Sequence, residues 1–391
     1  MNSKERIRAA LAHKLVDRTP AALEAVSVVC QNLIRHLSVS SFEEVLTHYQ
    51  IDTRYPSADY VGPPLTSSVD TNGSSIQEDY WGTKYKYVWS GREYNTHCVY
   101  RPLDEAKTLE DIRKYRWPRV DWFDFEGFKR KLDCCRDKAI IIGHPGPFQV
   151  ATFLRSMDLL FMDMALAPDL AHAVYDGMAA FELEFYERLL IAGDGQIDIL
   201  RPHDDYGTQR GLLFSVPMWH EFFAENTKKL TALAHKYGAY YMQHSCGAVR
   251  EIIPGLIECG VDALEPIQKV VGMEPEGLKR DFGHRLAFHG GIDTQDVLPF
   301  GTPGDVRKET EHFIRVLGMD KTGYILMSSQ SIEGDVPMEN IDAMYIRRKV
   351  KLRNRSAVRS ITHLKTPNYF CRVFRKPFHL SPSPGQYGHI Y

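Results

Sequence analysis

The chain is 391 residues long, 43% hydrophobic and 25% charged, with 48 Lys+Arg against 50 Asp+Glu, a pI near 6.8 and a mean hydropathy of -0.33. Charge this evenly balanced gives no electrostatic footprint for nucleic acid, and no apolar run approaches the roughly 18 residues that a membrane span needs. The opening MNSKERIRAALAHK lacks a signal-peptide core, and the seven cysteines are odd in number and irregularly spaced, so a soluble, cytoplasmic protein with reduced thiols is expected.

In chain order, residues 3–12 predict an amphipathic helix capped by Ser3, broken at Asp17-Arg18-Thr19-Pro20 before a first apolar run, Ala21–Val28. From about 50 to 130 the chain is rich in Tyr, Trp, Gly and Pro. Tyr80-Trp81-Gly82-Thr83 and the aromatic–polar alternation from Tyr85 to Tyr100 predict hairpins, an insertion or lid over a site. Beyond about 138, short apolar runs (Ala139–Gly143, Ile197–Pro202, Tyr240–His244, Ala263–Pro266, Leu286–His289, Tyr324–Ser328) alternate with helical segments (Met157–Ala167, Asp169–Ile191, Met218–Tyr237, Val249–Cys259, Pro303–Gly318). Such strand–helix units predict a parallel sheet. With no GxGxxG after a strand, an α/β TIM (β/α)8 barrel is favoured over an open doubly wound sheet.

Each run ends in polar residues, which places a site at the C-terminal mouth of the barrel. His144 is a substrate contact or a hydrogen-bonded structural histidine. Asp204 and Asp205 are adjacent, so at most one enters the mouth. Asp205 is the candidate to orient substrate or serve as acid/base, or else it caps the following turn. His289, the second catalytic candidate, precedes Gly290-Gly291, which suits a tight turn where backbone can approach a ligand. Tyr80 and Trp81 line the pocket or pack the lid. Residues 1–346 read as one domain. No Asp or Glu follows Asp342, whereas 11 Lys+Arg lie between Arg347 and Lys376. The segment 347–391 thus reads as a basic, disordered tail: an arm for an anionic partner, an inert solvated end, or a terminus altered by a genetic accident.

The densest chemistry lies in Tyr240–Pro266. A strand delivers His244-x-Cys246 into a Gly turn and a helix, and the next strand ends at Glu265. Imidazole, thiolate and carboxylate together suit zinc, which lowers the pKa of a bound thiol. The stretch HSCGAVREIIPGLIECGVDALEPIQ closely resembles the signature of the uroporphyrinogen decarboxylase superfamily, particularly its methylcobalamin:coenzyme M methyltransferases. KERIRAALAHKLVDRTP (4–20), DDYGTQRGLLFSVPMW (204–219), FHGGIDTQDVLPFGTPGDVRKE (288–309) and IEGDVPMENIDAMY (332–345) share the resemblance, which covers about 1–346 apart from 50–130.

The resemblance implies a TIM barrel and a methyltransferase working with a corrinoid, either methylcobalamin or a corrinoid carried on a partner protein, and a small thiol or methylated substrate. It implies zinc held by His244, Cys246 and the acidic position Glu265. The later cysteine of those enzymes is missing, since the corresponding strand reads Tyr324-Ile-Leu-Met-Ser-Ser329-Gln330. Gln330, standing beside that position, is assigned to substrate with His144 and Tyr80. The decarboxylase reading is weakened because AALEAVSVV follows Pro20 where that enzyme's arginine-rich segment is expected. A non-catalytic ligand-binding paralogue is the third reading, and the oligomeric state is open.

Overall fold

The structure, a computed structural model, describes residues 1–89, 94–318, 320 and 322–346, so the predicted basic tail at 347–391 lies outside the described residues. Seven parallel strands form one curled sheet in the order Thr53–Arg54, Ala139–Pro145, Ile197–His203, Tyr240–His244, Ala263–Glu265, Ala287–His289, Tyr324–Ile325. An eighth stave closes it. Ala21 and Ala25 bridge Leu326 and Ile332 in parallel, Ala22 N donates to Leu326 O at 2.9 Å, and Asp52 N donates to Ala21 O at 2.8 Å. The chain is therefore a TIM barrel, and the first apolar run of the sequence supplies its closing stave.

Side chains alternate along every stave. One set, including Ala22, Ala139, Ile141, Ile199, Met242, Ala263, Ala287, Ile325 and Met327, fills the lumen with Ile7 and Leu11 of the N-terminal helix as its floor. The other set, including Ile140, Ile142, Leu200, Tyr241, Leu264 and Phe288, packs against the surrounding helices. Small and branched residues in the lumen let the staves close without a void.

The N-terminal helix runs Ser3–Leu11, and its cap is Asn2, which exchanges hydrogen bonds with Glu5 in a capping box, one residue earlier than the expected Ser3. Its Arg6 reaches Asp17 and the fully buried Asp52; Arg18 meets Asp52 at 2.8 Å, and Asp52 also accepts from Ala21 N. The expected Met218–Tyr237 helix is two helices, Val216–Phe222 and Ala224–Lys236, because Phe223 leaves helical geometry to bury its ring.

Two strands, Asp59–Tyr60 and Phe123–Asp124, pair at the base of the insertion, and Ser67–Val69, Ser75–Glu78, Lys84–Trp89 and Tyr94–Tyr100 form an antiparallel meander. The turn at Asp79 is fixed by its carboxylate, which accepts from Trp81 N and Thr83 N. Thr53–Arg54 and the helix Phe125–Asp133, inside the stretch read as insertion, belong to the barrel. Among the described residues no helix is long and apolar enough to cross a membrane.

Replacing Asp52 by Ala removes the buried carboxylate that Arg6 and Arg18 share at the foot of the barrel and leaves Arg18 without a carboxylate partner. Urea unfolding is expected to show a loss of about 3–5 kcal/mol, and a loss under about 1 kcal/mol, the worth of an exposed pair, would contradict the burial argument.

Candidate active site

Strand parity carries Arg201, His203, His244, Glu265 and His289 to the lumen side, above the apolar layer. The register sets His244 beside both His203 and Glu265. Arg201 Nη1 lies 2.9 Å from each oxygen of Glu265 and also bonds Glu24, and its guanidinium stands over the Tyr55 ring, 5.1 Å from the centroid. Burial alone pushes the Glu265 pKa up; Arg201 and then His289 reverse this and hold it well below the usual carboxylate range. His289 is fully buried with Nδ1 3.4 Å from Glu265, and neither of its ring nitrogens makes a hydrogen bond among the described residues.

Above this charged layer the strand ends place Asp205, His244 and Cys246 with one donor atom each, all within 4.8 Å of one another. His244 Nε2 is 3.4 Å from Cys246 Sγ and 3.5 Å from Asp205 Oδ1, while Cys246 N donates to Asp205 Oδ1 at 2.8 Å. The turn that brings Cys246 here requires glycine. Gly247 has φ +85°, and a Cβ on it would come within 2.5 Å of Gly207 backbone. The Gln330 amide donates to Cys246 Sγ.

Burial, reinforced by Asp205, pushes the Cys246 thiol up to about 11 despite the opposing pull of His244. Burial raises Asp205 too, but His244 overrides it and leaves the carboxyl at about 2. Burial lowers His244, and the combined pull of Cys246, Asp205 and Glu265 raises it well above its ordinary value. Asp205 is thus held ionised beside His244.

These donors fit zinc. Tetrahedral Zn–N and Zn–S bonds place nitrogen and sulfur about 3.5 Å apart, matching the His244–Cys246 separation. With Nε2 turned to the donor cluster, His244 Nδ1 faces Glu265 Oε1 at 3.7 Å, the place of a carboxylate that orients a metal-ligating imidazole. The acidic member of the set is Asp205. Glu265, assigned as a ligand from the sequence, stands behind the imidazole because Arg201 grips both its oxygens.

The other candidates separate by parity. His144 points outward, between the sheet and the helix Pro168–Gly193, with Nδ1 on Pro145 O and Nε2 on Tyr80 OH, both at 2.7 Å. It packs against Phe181 and Phe185, and burial lowers its pKa to about 4. Tyr80 and Trp81 complete this aromatic nest, so the pair assigned to substrate docks the insertion instead, with no hydrogen bond to the donor cluster. Asp204 turns away from its neighbour to accept from Gln149 N and Tyr206 OH at 2.8 Å each. Arg201 and Glu24 escaped the sequence reading. Each is a charge at lumen parity inside an otherwise largely apolar run, Glu24 in Ala21–Val28 and Arg201 in Ile197–Pro202, and that is the signal that marks them.

Residues 106–349 match the family described as uroporphyrinogen decarboxylase (URO-D). No curated protein matches at a significant level of sequence similarity. Among solved structures, a methyltransferase from Methanosarcina mazei superposes with a TM-score of 0.62 at 18% identity, over 89% of this chain and 98% of that one. The 3-keto-D-glucoside 4-epimerase of E. coli superposes with a TM-score of 0.33 at 10% identity, over 63% and 94% of the two chains. The former shows a shared fold; the latter is too distant to carry an argument.

Asp204 gives the site a pH signature in stability. Burial pushes its pKa to about 7, so between the unfolded value of 3.8 and about 7 the folded state holds a proton that the unfolded state has lost. That contribution is intact at low pH and declines as pH rises through this window. Relative to Asp204→Asn, the wild type is expected to lose stability between pH 4.5 and 7 in urea titrations; an opposite trend would contradict a buried, neutral Asp204.

Proposed function

We propose that this chain, which belongs to the uroporphyrinogen decarboxylase family, is a methyltransferase that moves a methyl group between a corrinoid and a small thiol or methylated compound at a zinc site. The corrinoid is either free methylcobalamin or carried on a partner protein. The observation that carries this reading is the convergence of one imidazole, one thiol and one carboxylate at a hydrogen-bond-buttressed barrel mouth.

In this reading Asp205, His244 and Cys246 hold the metal, which as a Lewis acid lowers the pKa of a bound thiol and stabilises a sulfur or oxygen leaving group. Glu265 keeps the His244 imidazole oriented through Nδ1, and Arg201 keeps Glu265 ionised. Gln330 lies where it can give way to substrate or hydrogen-bond to it. His289, buried beside Glu265, supports the same layer from below. The surrounding apolar staves limit water and hold the reacting groups in line.

The decarboxylase alternative asks for free cationic groups to grip an acidic tetrapyrrole. Arg201 in the barrel lumen is instead engaged by Glu24 and Glu265, which favours the methyltransferase.

Elemental mass spectrometry of the purified protein tests the reading. Wild type is expected to carry near-stoichiometric zinc and Cys246→Ala and Asp205→Ala to lose most of it. Glu265→Gln is expected to retain zinc with methyl transfer from methylcobalamin reduced about 10–100-fold. Absence of zinc from the wild type, or its loss in Glu265→Gln alone, would overturn the assignment.

A further inference from the structure

Gln330 reaches the donor cluster from the loop after the Tyr324–Ile325 strand. Its side-chain nitrogen donates to Cys246 Sγ, and among the described residues its side chain makes no other hydrogen bond. The loop beneath it is braced. Ser328 Oγ donates to the Gln330 carbonyl at 2.6 Å, Ser329 N donates to Ile292 O at 2.7 Å, and Thr294 N donates to Ser329 Oγ at 3.3 Å. With the backbone held in this way, the amide is delivered to the sulfur by the side chain alone.

The sulfur itself is fixed from several sides. His244 Nε2 faces it at 3.4 Å, its own backbone N–H is held by Asp205 Oδ1, and the next N–H, that of Gly247, is held by Gln268 Oε1 at 2.6 Å. Cys246 is nevertheless half-buried and not sealed, so a small electrophile can reach it. A thiolate is a nucleophile as well as a metal ligand, and a methyl donor brought to this mouth meets the protein's own sulfur. Metal binding turns both His244 Nε2 and Cys246 Sγ to the ion and so ends the contact between them. Gln330 has no such conflict. A carboxamide is a poor zinc ligand, and its N–H can stay on the sulfur, where a hydrogen bond to a charged acceptor is strong and an outer partner of this kind tunes the ligand it holds. The amide has a second N–H and an oxygen to offer substrate at the same time.

We propose that Gln330 is a positioning residue that keeps Cys246 a ligand and stops it from becoming the methyl acceptor: its N–H ties up sulfur electron density that would otherwise attack the methyl carbon. The proposal rests on the zinc reading of the site, because it concerns the sulfur in its metal-bound form. The reaction that Gln330 restrains is a simple displacement. The Cys246 sulfur forms a bond to the methyl carbon as the leaving group departs with its electron pair, and the thioether so formed no longer carries the charge that holds the metal.

The test treats zinc-loaded protein with methyl iodide, in which iodide is the leaving group, and follows S-methylation of Cys246 by peptide mass spectrometry with zinc content measured alongside. The exposed Cys134 is the internal reference. Gln330→Met keeps the length of the side chain and removes the donor; it is expected to keep its zinc and to methylate Cys246 roughly fivefold faster or more, with Cys134 unchanged. In the cobalt(II)-substituted protein the sulfur-to-cobalt absorption band is expected to move to longer wavelength in the same variant, since the sulfur electrons are then less tightly held. An unchanged Cys246 rate or an unmoved band in Gln330→Met would overturn the proposal. So would a rate that rises in Gln330→Ala alone, which would make the side chain a mere steric cover, or loss of zinc from Gln330→Met beside a loaded wild type, which would make it a ligand. Should Gln330→Met fail to fold, Gln330→Leu is read in the same ways. A wild type that takes up no zinc overturns the zinc reading and this proposal together; a loaded wild type with no change in the variants overturns this proposal alone.

Discussion

A guanidinium with 2% exposure in the lumen of a barrel has to be neutralised where it stands, and Arg201 is neutralised by Glu24 and Glu265. Breaking such a buried pair costs about 3–5 kcal/mol, because the charge left behind has no water to turn to. Glu265 is therefore bound to its place before any ligand arrives. Once both its oxygens face Arg201, it can meet the imidazole of His244 only from behind, at Nδ1. The imidazole then presents Nε2 upward to Asp205 and Cys246. One ion pair thus decides which carboxylate can serve as a metal ligand and which nitrogen of His244 is offered.

Strand parity does the remaining sorting. Residues one apart on a strand face opposite layers. The same rule sends Arg201 into the lumen and Leu200 into the helix layer, turns Asp205 toward Cys246 and Asp204 toward Gln149 and Tyr206, and aims His144 at Phe181 and Phe185. The insertion exploits that outward face: Tyr80 docks on His144, and Tyr115 bonds the Trp81 carbonyl. In this way a histidine at a strand end anchors the antiparallel meander.

Much of this was legible in residue order. Apolar runs of strand length separated by amphipathic helices announce the parallel barrel, and His244-x-Cys246 before a glycine turn marks the mouth. Short helices were harder. Pro147–Leu154 is buried on every side, so no polar face betrays its period, and the Thr53–Arg54 stave is too short to alternate. The choice between Asp205 and Glu265 could not be read from spacing, because it depends on Arg201, which lies 64 residues before Glu265 and meets it only across the lumen.

The account stands on the identity of the donor set, and zinc-edge X-ray absorption of the purified protein measures that most directly. It predicts one sulfur neighbour at about 2.3 Å with the other neighbours nitrogen or oxygen at about 2.0–2.2 Å, and loss of the sulfur shell in Cys246→Ser. A shell with two sulfurs, or with none in the wild type, would contradict it.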